Sequence, residues 1–246
     1  MLTTTALAAA VGCALAHPIM VLPPGLRADA EVFEVTGLRG LHPWNHDIRF
    51  GPFRTRSTRA GWTGSDSISW GILDDNYASD TKSPVTFVLE GGECPRSTAR
   101  CMGRSRRVHR AKAVGITSTA DGIAIDRQVV EDVSSSSFDC DFDAGGPAAG
   151  RLLLSNADES GFGGVLIDDR GATVARVRAT NRQTGVPYTY AIPFPVGFLV
   201  ETTAGEIGAV ERAFQGKVII GHAARARDRC AFVTVAAALL LWDPLP

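Results

Sequence analysis

The densest group of side chains able to hold another molecule is the run from position 100 to 112, RCMGRSRRVHRAK. It places Arg100, Arg104, Arg106, Arg107, Arg110 and Lys112, with His109, inside thirteen residues. Guanidinium groups grip carboxylates and phosphates through paired N–H donors. Arg104, Arg106, Arg107 and Arg110 are therefore the candidate binding residues, for an anionic headgroup, a polysaccharide or an acidic protein surface. The same run also reads as a solvated hairpin between strands. No aromatic residue interleaves it, which removes the stacking platform that single-stranded nucleic acid needs. A net charge of −1 and a pI near 6.5 add no global attraction for a polyanion, so nucleic acid is not an expected partner.

The remaining constellations are weaker. Asp139-x-Asp141-x-Asp143 opens like a calcium loop, but Ala144 stands where that loop needs glycine and Gly150 where it needs a bidentate glutamate. The pattern fits a strand with one wet face, its acids outward and Cys140 and Phe142 inward. His42, His46 and Asp47 imply no metal site, because Pro43 breaks a helical register and no third ligand follows. Neither a metal nor a cofactor is expected. No G-x-S-x-G or S-x-x-K stands in a setting fit for a nucleophile, and no catalytic residue is assigned. Paired acids (Glu131 with Asp132, Asp158 with Glu159) have the chemistry of a glycosidase but occur in any soluble domain. Trp44, Trp62 and Trp70, near Asn45, Asp66 and Asp74, suit either a sugar platform or ordinary packing.

The first residues bear on location. Residues 2–12 (LTTTALAAAVG) are apolar and uncharged and lead to Cys13 and then Ala14-Leu15-Ala16. Residues 1–16 are expected to be an export signal. Two processing routes remain open: acylation of Cys13 after a lipobox-like AVGC, or ordinary cleavage after A-L-A. In the first case lipid on Cys13 tethers the chain to a membrane without spanning it. The expected location is the cell envelope or the extracellular space. Four further cysteines, Cys94, Cys101, Cys140 and Cys230, make an even set suited to an oxidising compartment. The short stretch CPRSTARC suggests a bridge from Cys94 to Cys101, leaving Cys140 for Cys230. Free buried thiols are the alternative.

The elements that must position these groups begin after a Pro-rich stretch, residues 17–30, read as an extended tether. Residues 31–246 read as one β-rich domain, since 246 residues with 45% apolar composition can build a single large core. Short Val, Ile, Phe and Thr-rich segments separated by turn residues predict strands at 32–36, 47–54, 85–90, 113–118, 123–130, 151–155, 164–168, 173–180, 196–201, 206–211 and 217–222. The turns at 119–122, 168–171 and 202–205 each end in a glycine, as tight hairpins require. The chain then closes on residues 230–242, CAFVTVAAALLLW, whose one polar side chain is Thr234. A helix apolar on every side must be buried on every side. Thirteen residues span about 20 Å, short of a bilayer's hydrocarbon core. A buried helix near 226–242, capped by Asp228, is expected at the centre of the fold.

Glycine-punctuated hairpins such as GGVLI (163–167) and GEIGAVE (205–211), leading into the apolar RCAFVTVAAALLL, resemble the tubby and LURP-one-related fold. That resemblance implies an antiparallel β-barrel, closed or nearly closed, of about 11–12 strands around a hydrophobic C-terminal helix. It covers residues 85–242 and carries no binding residue onto this sequence. The ending is also similar to that of uncharacterised bacterial lipoproteins. Together the readings predict an exported, lipid-anchored, non-enzymatic binding or envelope-structural module, with a secreted polysaccharide hydrolase as the alternative.

Overall fold

The computed structural model describes residues 19–27, 29–38, 46–70, 74–119, 122–143, 149–158, 161–184, 195–212, 215–222 and 224–242. In chain order these form β1 (Ile19–Met20), α1 (Pro24–Arg27), β2 (Glu31–Thr36), β3 (Arg49–Phe50), β4 (Phe53–Ala60), β5 (Thr63–Trp70), β6 (Asp74–Gly91), β7 (Cys94–Thr119) and β8 (Gly122–Phe142). They continue as β9 (Gly150–Asp158), β10 (Gly161–Asp168), β11 (Thr173–Thr180), β12 (Gln183–Thr184), β13 (Gly197–Thr202), β14 (Gly205–Glu211), β15 (Lys217–Ile220) and α2 (Ala226–Leu241).

The final apolar run forms α2, and every side chain from Cys230 to Leu241 is buried. Its enclosure is a barrel. Strands β2, β3, β4, β6 to β11 and β13 to β15 join through antiparallel ladders, and β4 pairs with β6 to close the circuit at twelve strands. About eight strands suffice when side chains alone fill the lumen, so twelve leave room for a helix roughly 10 Å across. The core contains inward residues of the strands (Phe50, Phe53, Phe87, Phe138, Leu152, Phe198) packed around Phe232, Val235 and Leu239 of α2. Small residues set the closest approach. A Cβ on Gly208 of β14 would fall 2.4 Å from the Phe232 ring, so that strand presses on the helix only as glycine. The predicted hairpin turns recur with Gly171 at φ 82° and Gly205 at φ 114°.

Both helix ends are fastened to the wall. Arg229 donates to both carboxylate oxygens of Glu31 on β2, at 2.6 and 2.7 Å. That hydrogen bond is the main reason the Glu31 carboxyl titrates below its ordinary 4.5. At the other end Trp242 stacks on Phe138 (4.9 Å between ring centres) and Phe162 (4.6 Å), while Arg212 donates to its carbonyl and lies 5.7 Å over its ring. The one hydroxyl of the helix is satisfied locally, Thr234 donating to the Cys230 carbonyl at 3.0 Å. Asp228 does not cap the helix: the N-cap is Arg225, which makes no side-chain capping bond. The helix starts at Ala226, so Asp228 already lies in its first turn, where its charge suits the dipole.

The four cysteines are bridged, but in the other pairing. Cys94 joins Cys230 with Cα atoms 5.3 Å apart, and Cys101 joins Cys140 at 4.0 Å. CPRSTARC is not a loop; it lies within β7, whose extension carries residues seven apart about 23 Å away from each other. Cys101 sits directly opposite Cys140 in the β7–β8 ladder, and the start of β7 meets the start of α2.

Nor is the stretch after residue 18 an extended tether. Ile19–Met20 pairs with Gln183–Thr184, and Met20 and Leu26 pack with Val196, Leu199, Ala209 and Ile219 on the outside of β13 to β15. Those three strands are thereby covered on both faces, which is why they read as continuous apolar runs instead of alternating ones. The docked segment also covers the buried Glu211, whose carboxyl accepts the Met20 N–H. Burial pushes that carboxyl above its ordinary 4.5, outweighing the pull of Lys217 and the Met20 hydrogen bond. The strand expected at 47–54 is divided, because Gly51-Pro52 turns β3 back into β4.

Three outcomes are expected. Leu239→Ala should cost about 2 to 5 kcal/mol in denaturant titration, and Leu239→Asp should give no cooperatively folded protein. Non-reducing peptide mapping should recover Cys94 linked to Cys230, and the Cys94→Ser/Cys230→Ser variant should lose up to about 5 kcal/mol in the chain-entropy picture. A carboxyl raised in the folded state favours folding below its unfolded pKa and loses that contribution as pH rises. Glu211→Gln should therefore gain stability over wild type as pH climbs above 4.5, the difference vanishing below it. A pH series of urea melts reads this directly; a constant difference would contradict the assignment.

Candidate functional site

The basic run does not form a hairpin; it lies in the middle of β7. Three strands outgrow the barrel. β4 pairs with β6 only from Val85 to Gly91, and β9 pairs with β8 only from Ser137 to Phe142. Beyond those points β5, the start of β6, the end of β7 and the start of β8 pair only among themselves, as a four-stranded arm. From residue 104 to 119, β7 reaches about 50 Å past the barrel mouth. Gly103 marks the mouth, since a Cβ there would come within 2.9 Å of the Trp242 indole nitrogen.

At the root of this arm is a cleft of about 480 Å³, lined by Asp80, Arg104, Arg106, Ser134, Ser135, Ser136, Ser137, Ser155 and Asn156. Strand geometry explains its composition. Arg104 and Arg106 are two apart on β7 and share a face, opposite Ser137 and Ser135 of β8, and Ser137 in turn faces Ser155 of β9. Asp80 of β6 stands opposite Arg106 on the other side. The floor is fixed where β9 parts from β8: the Asn156 side chain accepts the Ser136 N–H at 2.7 Å and donates to the Ser134 carbonyl at 3.4 Å. Ser136 and Ser105 hydroxyls meet at 3.4 Å. Sequence reading missed the serines and Asn156. Four consecutive serines were the available signal, without meaning until β8 was known to face Arg104.

Of the four arginines expected to act together, the structure brings Arg104 and Arg106 into the cleft. Arg107 points to the opposite face of β7, and Arg110 is engaged with Glu131 at 3.0 Å. Neither Arg104 nor Arg106 forms an ion pair among the described residues. Some outer-surface arginines are neutralised locally, Arg54 and Arg56 both holding Glu90 and Arg151 holding Asp141 at 2.9 Å, while others, such as Arg107 and Arg127, also have no ion pair among the described residues. The Glu90 carboxyl is accordingly held below 4.5, first by the Arg56 hydrogen bond and then by that of Arg54, against the opposing effect of burial.

The other candidates resolve into structural roles. Asp139, Asp141 and Asp143 line β8 and its end with Cys140 and Phe142 buried between them, and Asp143 accepts the Thr98 N–H at 2.9 Å. Asp47 accepts the Thr58 N–H at 3.1 Å and His46 is exposed, while His42 and Trp44 lie outside the described residues. Glu131 and Asp132 are consecutive on β8, Glu131 pairing with Arg110 and Asp132 coming within 3.9 Å of the His109 ring, so they do not face one another. Glu159, like Cys13, lies outside the described residues. Ser79 and Lys82, spaced as S-x-x-K, fall on opposite faces of β6, the serine buried and the lysine exposed. Trp62 stands half-exposed at the base of the arm.

Two guanidinium groups and a row of hydroxyls can bind an oxyanion with orientation: the arginines supply charge and paired donors, the serines supply donors that swing to fit, and the Asp80 carboxylate opposite Arg106 works against the anion's charge. Compared with protein-family models, curated proteins and solved structures, the chain matches none.

Proposed function

We propose that the protein is a non-enzymatic binding module of the cell envelope that takes an anionic group in the cleft at the root of its arm. The observation that carries the reading is the lining of that cleft. Arg54, Arg56, Arg110 and Arg151 are matched by carboxylates, whereas Arg104 and Arg106 sit together in a concave, hydroxyl-lined surface without such partners among the described residues. Two disulfides, one tying α2 to β7, support an exported location. Export with lipid on Cys13 would hold the barrel at a membrane surface, where an anionic headgroup or a polysaccharide is within reach. Kinship with the tubby and LURP-one-related fold is likewise a proposal, supported by strand number and helix placement, and it brings no ligand with it. The hydrolase alternative finds one carboxyl, Asp80, in the described lining, where a glycosidase needs two.

Cosedimentation with vesicles containing phosphatidylglycerol tests the site. Wild type should bind in a salt-sensitive manner, and Arg104→Ser/Arg106→Ser should weaken binding about tenfold at ~0.1 M salt. Arg54→Ser, which removes a cation already matched by Glu90, should leave binding unchanged. Equal loss from both variants would reduce the effect to net charge, and no loss from either would retire the cleft.

A further inference from the structure

The arm ends in an open edge. Past Ser136 no described strand covers the free side of β8, and residues 122–135 pair with β7 alone. Asn156 closes the first step of that edge by bonding the Ser136 N–H and Ser134 carbonyl. Beyond it the edge carries Val129, Val130 and Val133 at 54%, 52% and 48% exposure. Unpaired edges are ordinarily protected by charges that a second strand would have to bury unmatched. This edge has such charges, but their order is self-complementary.

We propose that two copies of the chain associate edge to edge and antiparallel through residues 126–133 of β8. Asp126-Arg127-Gln128-Val129-Val130-Glu131-Asp132-Val133 reads with opposite chemistry from its two ends. Val130 is the extra residue of a β-bulge opposite Arg110 and Ala111, which brings Val129 and Val130 to one side of the strand. With Val129 opposite the second copy's Val130, a two-fold axis passes between them, Gln128 faces Glu131, and Arg127 faces Asp132, each twice. An isologous contact of this kind closes on itself and stops at two. Arg127 is exposed and makes no ion pair among the described residues, and Asp132, also exposed, reaches only the His109 ring at 3.9 Å. Each is thus available to the other across the axis. The valines supply apolar cross-strand pairs at the centre, and the charges fix register where a plain valine edge would slip. The contact does not use Arg104 or Arg106, so it stands apart from the anion cleft.

Sedimentation velocity of the disulfide-intact chain over a concentration series tests this. Wild type should pass from monomer to dimer below about 100 µM, the range of a small interface. Arg127→Asp and Asp132→Arg should each weaken dimerisation at least about tenfold, since each sets like charges opposite one another twice. The double exchange Arg127→Asp/Asp132→Arg should restore it to within about threefold. Thermal melts of all three variants should match wild type, both side chains being exposed. A monomer throughout, single exchanges without effect, or failure of the double exchange to restore would overturn the proposal. So would growth beyond two copies, which would mean that β8 meets a different edge, such as β5, in an open series.

Discussion

A helix with no polar face is the constraint from which the rest of this molecule follows. From Cys230 to Leu241 no side of α2 can meet water, so the polypeptide has to supply a complete enclosure. Two packed layers leave a helix partly uncovered; a closed ring of strands does not. The width of the ring follows from the object it contains, and the small residues of the helix and Gly208 on the wall tune the fit. Arg229 with Glu31 at one mouth and Trp242 with its phenylalanines at the other then fix the helix along the barrel axis. The Cys94–Cys230 bridge ties the same helix to a strand 136 residues earlier, so wall and contents fold as one unit.

That constraint also explains which parts of the architecture were legible in the sequence. The buried helix declares itself because thirteen nearly uninterrupted apolar residues have one physical solution in water. The strands β13 to β15 are equally plain, since covering both faces leaves runs such as VGFLV and KVII without alternation. The arm is opaque for the opposite reason. Its four strands have no continuous core, so Ser134 to Ser137 and the basic run carry no period-two signal, and residues of low strand propensity are held by ladder hydrogen bonds to their neighbours. Ends of β6, β7 and β8 were visible as short strands, while the polar lengths between looked like loops.

The misassigned disulfides are a consequence of that opacity. Cys94 and Cys101 are close in sequence, and proximity favours a bridge only if the chain between them turns. Once those residues are extended, the cross-strand neighbour Cys140 lies nearer than the sequence neighbour. The tether at 17–30 was misread by a related omission. Three prolines and a glycine do preclude a long helix or a central strand, but they do not prevent Met20 and Leu26 from docking into a groove formed by strands far along the chain. Nothing local to residues 19–26 reveals that groove.

The candidate site inherits its character from the boundary between these two regimes. Inside the mouth, inward positions of β7 are filled by Ala99, Cys101 and Gly103 beside the helix; one residue further, the outward positions Arg104 and Arg106 look onto serines. A binding surface formed here has a rigid barrel behind it and hydroxyls that need no desolvated core to support them. β9 parts from β8 after Ser155 while running on to Asp158 beside β10, and the Asn156 side chain supplies hydrogen bonds to β8 that continued backbone pairing would have made. The cleft is thus the gap left where β9 diverges from β8, and the open edge of β8 is what remains unpaired beyond it. The proposed recognition of an anion and the proposed pairing with a second strand both rest on one structural fact, the departure of three strands from the barrel.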